Sequence, residues 1–327
     1  MLKLCRASIA MIFGLAVSSG VQAQDFSYSY QGKTFSKNEL SPALQQTIFE
    51  MQSEYNERLK AVAEAAILEQ HVDEEAKKRS KSRQQVEEDL FKVKDPSESD
   101  IKSWYEKNKA RIPYPFEQIK GQLGQVVAQE KMQEKRTKLV DELKKKGKFS
   151  MNLPTLVAPK LEINIQGAPV RGKADAQVVL VEFADYKCPH CKEAAATLEK
   201  LFPKYKDKVK FVFMDFPIHK GVAEDLARGS FCAGEQGKYW EFNKMAFERQ
   251  DKTKDGSSAE FSKELKLDEG KFKECMGSKR PQDWVTKASE EGRRIGVSGT
   301  PALFLNGQKL APPTEKDIVA ALDKALK

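Results

Sequence analysis

Apolar side chains recur every three to four residues through the first half of the chain, then gather into short unbroken runs in the second. In "SPALQQTIFEMQSEYNERLKAVAEAAILEQ", Leu44, Ile48, Met51, Tyr55, Leu59, Val62 and Ala66 form one stripe of a long helix. Ser41 is placed to cap it, with Pro42 at the first helical position. "EEAKKRSKSRQQVEEDLF" continues as helix until Asp95-Pro96, and "SESDIKSWYEKNK" starts another. The "PYP" at 113–115 interrupts again. A second long amphipathic helix follows, carrying Ile119, Leu123, Val126, Val127, Met132, Leu139, Val140 and Leu143, and Gly147 closes it. Residues 36–150 contain no convincing strand.

After a linker with two prolines, "KFSMNLPTLVAPK", the period changes. "KLEINIQG" alternates like a strand, and "AQVVLVEFAD" reads as a buried one. A helix is expected over 189–204, a third strand in "KVKFVFMDFP", and helices through 221–292. "GVSGTPALFLNGQKL" reads as strand, Asn306-Gly307 turn and strand, and a closing helix is capped by Thr314. This order makes an α/β domain with a helical insertion, preceded by an all-α region. The expected division is 1–23, 24–150 and 151–327, with the insertion at about 221–292.

The helices of the first region are highly charged and thin in large apolar residues. Such helices rarely bury enough surface alone. The heptad-like spacing therefore predicts a homo-oligomer formed through the N-terminal helices. With 327 residues, 32% charged and 40% hydrophobic, the composition suits two wet-surfaced domains. The formal charge of +8 is lysine interleaved with glutamate, not a one-signed stripe with aromatics, which argues against nucleic acid as a partner.

The first residues, "MLKLCRASIAMIFGLAVSSGVQAQ", combine Lys3 and Arg6, a short apolar run and small residues at 21–23. They read as a secretory signal peptide cut after Ala23, which exports the mature chain to an oxidising setting. The apolar run is too short for a membrane anchor. Cys5 precedes that run, which argues against a lipoprotein. Cleavage lowers the formal charge from +8 to +6 and leaves four of the five cysteines: Cys188, Cys191, Cys232 and Cys275. An even number in an oxidising compartment suggests disulfides. It weakens a zinc reading, as does the absence of metal spacing among His71, His190 and His219.

Cys188 and Cys191 flank a proline and a histidine at a strand-to-helix junction. There the unpaired N–H groups of the first turn and the positive end of the helix dipole face the first sulfur. Both favour a thiolate, and His190 adds a donor or a charge beside it. Cys188 is thus expected to be the exposed nucleophile and Cys191, one turn in, the shielded resolving thiol. Glu182, in an otherwise apolar strand, is expected to lie buried beneath the pair and to take up or pass the proton of Cys191. Its alternative is a strand-end carboxylate facing solvent. Thr300-Pro301, just before a strand, is placed to bring backbone against the active sulfur.

"VVLVEFADYKCPHCKEAAATLEKLF", the helical stretch to 292 and "GVSGTPALFLNG" together resemble a DsbA-like thiol–disulfide oxidoreductase of the thioredoxin superfamily. The resemblance implies that Cys188 and Cys191 are the redox pair, that Pro301 is the cis-proline beside it and that Glu182 is the buried acid. It implies substrate binding at Thr300 and Pro301. The first region is similar by pattern to the helical chaperone domain of SurA-like periplasmic proteins. Nothing is inserted near "RIPYP", where those proteins often carry a prolyl isomerase, so none is expected. Cys232 and Cys275, in the insertion, read as a structural disulfide, with two buried free thiols as the alternative.

The expected function is a periplasmic protein disulfide oxidase or isomerase acting on exported proteins with cysteines. It would work with a membrane redox partner and without a cofactor or resident metal. An oligomer with inward-facing sites favours isomerisation. The alternatives are a chaperone that carries a redox domain, and a copper-handling thiol protein, since soft thiolates favour Cu(I).

Overall fold

The structure is a computed structural model that describes residues 26–109, 112–310 and 314–327. The expected signal peptide and Cys5 lie outside the described residues. Among the described residues the chain divides into two compact units, one formed by residues 26–51 with those from 156 onward and one by those between 52 and 155.

The elements in chain order begin with β1 (Ser27–Tyr30) and β2 (Lys33–Ser36), then α1 (Pro42–Arg79), α2 (Arg83–Phe91), α3 (Glu98–Asn108) and α4 (Phe116–Lys145). They continue with β3 (Val170–Gly172), β4 (Val178–Ala184), α5 (Pro189–Tyr205), β5 (Val209–Asp215), α6 (Val222–Gly234) and α7 (Tyr239–Glu248). The last are α8 (Ser257–Glu264), α9 (Glu269–Gly277), α10 (Arg280–Arg294), β6 (Ala302–Leu305), β7 (Gln308–Lys309) and α11 (Glu315–Ala325). No described helix is long and apolar enough to cross a membrane.

In the unit of residues 52–155, short helices pack on long ones through two small clusters. Val72, Val86 and Phe91 meet Leu68, Met132 and Leu139. Ile101, Tyr105 and Leu123 meet Trp104, Phe116 and Ile119. Each short helix starts at a serine whose hydroxyl accepts an N–H of the first turn, Ser82 from Gln85 and Ser97 from Asp100. The stripe foreseen on α1 is helical, but four of its large members do not pack inward, while Ile48 and Leu59 are half-buried. Leu44, Met51, Tyr55 and Val62 are 53%, 66%, 62% and 66% exposed.

The other unit is a five-stranded sheet in the order β3-β5-β4-β6-β7 with helices on both faces. β4 runs parallel to β5 and antiparallel to β6. β4 and β5 are almost wholly buried, which accounts for their unbroken apolar runs. One face of the sheet carries Val181, Phe183, Val212, Met214 and Phe304 against α10 and its end. The other carries Leu180, Leu198, Leu201, Phe211 and Leu322 between α5 and α11. The helical insertion packs as a separate aromatic cluster against the end of the sheet that carries Cys188 and Cys191. The α/β thioredoxin fold with a helical insertion and a helical region before it is thus what the structure shows.

Two local expectations change. Residues 160–167 alternate as foreseen, and Leu161, Ile163 and Ile165 pack toward the core. Yet they form no strand: Leu161 N–H donates to the Gly307 carbonyl at 2.9 Å, while Asn164 N–H donates to the Glu291 side chain. The alternation buries side chains without a partner strand. Residues 27–36, within the stretch 24–150 expected to be all-helical, instead form a hairpin turned by Gln31 and Gly32 at positive φ, in which Tyr28 stacks on Phe35, and most of it is exposed. The Asn306-Gly307 turn forms as read, with both residues at positive φ. A Cβ on Gly307 would lie 2.2 Å from the Leu161 carbonyl oxygen, so glycine is required there twice over.

Candidate active site

Cys188 is the N-cap of α5, and Pro189 takes the first helical position. Proline fits there because its missing N–H would have had no helical partner. The Cys188 side chain makes no capping hydrogen bond. Its thiol instead donates to the Thr300 carbonyl at 3.3 Å. That contact corrects the expectation of an exposed sulfur: Cys188 is only 5% exposed, because the loop ending at Pro301 lies across it. The Thr300-Pro301 peptide is cis, and Pro301 leads directly into β6.

Cys191 is 0% exposed. Burial pushes its thiol well above the usual range, opposed by the Asp185 N–H that donates to its Sγ at 3.5 Å and reinforced by nearby Glu182. Both thiols are free. His190, foreseen beside the first sulfur, is mostly exposed and pairs with Glu193 at 3.2 Å.

Glu182 sits in the middle of β4, paired with Phe213 on one side and Leu303 on the other. It is 6% exposed, so the solvent-facing alternative is excluded. Burial raises its carboxyl to about 8, with the Arg171 charge opposing and Glu199 adding to the rise. Its Oε1 has no hydrogen-bond partner among the described residues. Glu182 lines a cavity of about 470 Å³ between α5 and α7, walled by Leu198, Phe213, Trp240 and Phe247. Arg171 closes one end, paired with Glu199 and sandwiched between the rings of Phe202 and Trp240 at 4.5 and 4.4 Å.

The structure adds residues that sequence reasoning missed. Asp185 is buried, and its carboxylate accepts from Lys187 N–H at 2.6 Å, Ile218 N–H at 2.6 Å and His219 N–H at 2.8 Å. The backbone N–H groups of Ile218 and His219 thus anchor the 217–219 loop, and the half-exposed His219 side chain adds its Nδ1 at 3.1 Å from the same carboxylate. The Asp185-to-Lys187 bond is an Asx turn, and "ADYK" before the first cysteine carried that signal. Gln250 donates to the carbonyls of Tyr186 and Cys188 from 64 and 62 residues away, and no local pattern announces it. A second buried acid, Asp215, accepts from Tyr239 Oη at 3.4 Å, and burial raises it well above the usual carboxylate range.

Cys232 and Cys275 are joined, closing the insertion between α6 and α9 with a Cα–Cα distance of 5.8 Å. Among the described residues no group of three or more His, Cys, Asp or Glu side chains is arranged to hold a metal ion.

A thioredoxin family model matches residues 164–324. The probable disulfide bond formation protein D of Bacillus anthracis is 34% identical over 172 residues, covering 48% of this chain and 77% of that protein. The chain belongs to the thioredoxin family, on its DsbA-like branch. This DsbA-like chain is also similar to the Na(+)/H(+) antiporter NhaA 3 of Salinispora tropica, at 29% identity over 155 residues. That match covers 46% of this chain and 24% of the antiporter, so the chain spans about a quarter of the length of the antiporter relatives it matches. Among solved structures, oxidised BdbD from Bacillus subtilis is 28% identical, with a TM-score of 0.46 over 52% of this chain and 98% of that one.

Proposed function

We propose that the protein is a periplasmic thiol–disulfide oxidoreductase acting on exported proteins, with Cys188 as the exchanging sulfur and Cys191 as the resolving one. The observation that carries this reading is the asymmetry of the pair. Cys188 caps a helix beside the Thr300 carbonyl, whereas Cys191 is sealed inside with its thiol held protonated by burial.

In the oxidising direction, a substrate thiolate attacks Cys188 Sγ of the Cys188–Cys191 disulfide. The S–S bond breaks, and Cys191 leaves as a thiolate that takes a proton, for which Glu182 is the adjacent acid. A second substrate thiolate then attacks the substrate sulfur of the mixed disulfide and releases Cys188. The substrate loses two electrons and two protons, and the pair gains the electrons. In isomerisation the reduced Cys188 starts the same exchange on a substrate disulfide. Thr300 and Pro301 border the sulfur where an extended substrate chain adds backbone contacts.

Replacing Cys188 with serine abolishes dithiol-dependent activity, and replacing Cys191 with serine accumulates mixed disulfides. Full activity in the Cys188→Ser protein ends this reading. We further propose self-association through α1, supported by the exposed Leu44, Met51, Tyr55 and Val62 at coiled-coil spacing. An oligomer favours isomerase activity, and rescue of scrambled ribonuclease measured alongside mass by light scattering tests both. A monomer that cannot rescue the scrambled enzyme removes the isomerase reading.

A further inference from the structure

The residues that precede the cysteine pair are bonded to the end of α7 by groups that serve no other visible purpose. Gln250 is buried in the turn that follows α7. A primary amide has two N–H donors. Its Nε2 donates to the Tyr186 carbonyl at 3.0 Å and to the Cys188 carbonyl at 2.9 Å. Lys187, which lies between those two residues, answers in the opposite direction. Its Nζ donates to the Gln250 carbonyl at 3.0 Å and to Thr253 Oγ1 at 3.1 Å. The two sides of this contact are 62 to 66 residues apart in sequence.

The carbonyl of Cys188 is the N-cap carbonyl of α5. It already accepts the N–H groups of Cys191 at 3.0 Å and Lys192 at 3.3 Å. Gln250 supplies a donor from outside the helix. A carbonyl oxygen carries partial negative charge, and this one belongs to the same residue as the reacting sulfur. Drawing a positive N–H dipole onto it lowers its repulsion of a thiolate and fixes the peptide plane on which the sulfur is mounted. The helical insertion therefore has a direct electrostatic handle on the redox pair.

We propose that Gln250, locked by the reciprocal bonds of Lys187, is a positioning residue that stabilises the reduced, thiolate form of Cys188 and so makes the disulfide more oxidising. The proposal rests on Cys188 and Cys191 being the exchanging pair. Gln250→Met keeps the length of the side chain and removes both donors. Its effect is read in the equilibrium of the pair with reduced and oxidised glutathione. The bond to the carbonyl exists in both redox states, so its full net worth, about fivefold, is an upper limit, and the equilibrium constant moves about two- to fivefold toward the protein disulfide. A residue that merely held the loop in place would lower the melting temperature and leave that constant where it was. A folded Gln250→Met protein with an unchanged constant overturns the proposal.

Should Gln250→Met fail to fold, Thr253→Val takes its place, because it leaves the Gln250 side chain intact and removes the hydroxyl that accepts from Lys187 and donates to the Gln250 carbonyl at 2.7 Å. A shift of about twofold or more in the same direction supports the latch, and an unchanged constant overturns it. The unaltered protein separates the two readings. If its cysteines do not exchange with glutathione, the proposed function fails. If they exchange and the variant matches them, the latch alone fails.

Discussion

Glu182→Gln is the substitution whose consequences pull furthest apart, because stability and activity should move in opposite directions. Burial raises the carboxyl from an ordinary 4.5 to about 8, so in the folded chain it holds its proton where the unfolded chain has released it. Between these two values the folded state binds one proton more than the unfolded state, and stability falls as pH rises. The shift corresponds to about 5 kcal/mol once pH exceeds 8, and to about 3 kcal/mol at pH 7. Glutamine has no proton to lose and nearly the same shape. The gain of the variant over the parent should be small near pH 4.5 and grow to those values. Asp215 is raised in the same sense but is common to both proteins and cancels in the difference.

The comparison is best made with Cys188 and Cys191 both changed to alanine, so that redox state is constant and the Cys232–Cys275 bond stays closed. With Trp104 changed to phenylalanine, the fluorescence of Trp240 and Trp284 during urea titration reports the unit that contains Glu182. In the protein with both cysteines restored, the same substitution should slow formation of the mixed disulfide in the oxidising direction, the step in which Cys191 leaves and takes a proton, by up to roughly 100-fold, the range of a lost acid–base group. A stability difference that stays flat from pH 5 to 8 would refute the buried-acid argument.

Other outcomes follow from single contacts. Changing both Cys232 and Cys275 to serine opens a 43-residue span and should cost about 4 kcal/mol by loop entropy, read as a lower urea midpoint. Gly307→Ala sets a Cβ against the Leu161 carbonyl at positive φ and should cost on the order of 2 kcal/mol or more, again seen in denaturant titration. Met51→Glu with Val62→Glu charges two of the exposed positions on α1. Sedimentation should show a smaller species than the parent, with helicity retained, and an unchanged mass would dismiss self-association through this stripe.

The sheet was readable because β4 and β5 are buried on both faces and so consist of unbroken apolar residues. The Asn306-Gly307 turn was readable because its backbone angles demand those residue types. Cys188, Cys191 and Glu182 stood out because each departs from its surroundings within a few residues. Residues 160–167 misled, since a chain that lies along a core alternates whether or not a partner strand is present. The hairpin at 27–36 buries almost nothing and left only a Gln-Gly turn as a sign. The exposure of the first sulfur was misjudged because the residue that covers it, Thr300, lies 112 positions away. Gln250 escaped notice for the same reason: a glutamine in the turn after a helix bears no local mark of the carbonyls it reaches.

The central claim is that the two thiols of the pair are chemically unequal, and alkylation of the reduced pair tests it most directly. Brief exposure to a small alkylating reagent near neutral pH, followed by peptide mass analysis, should find the label on Cys188 and scarcely any on Cys191. Equal labelling of the two, or preferential labelling of Cys191, would contradict the account.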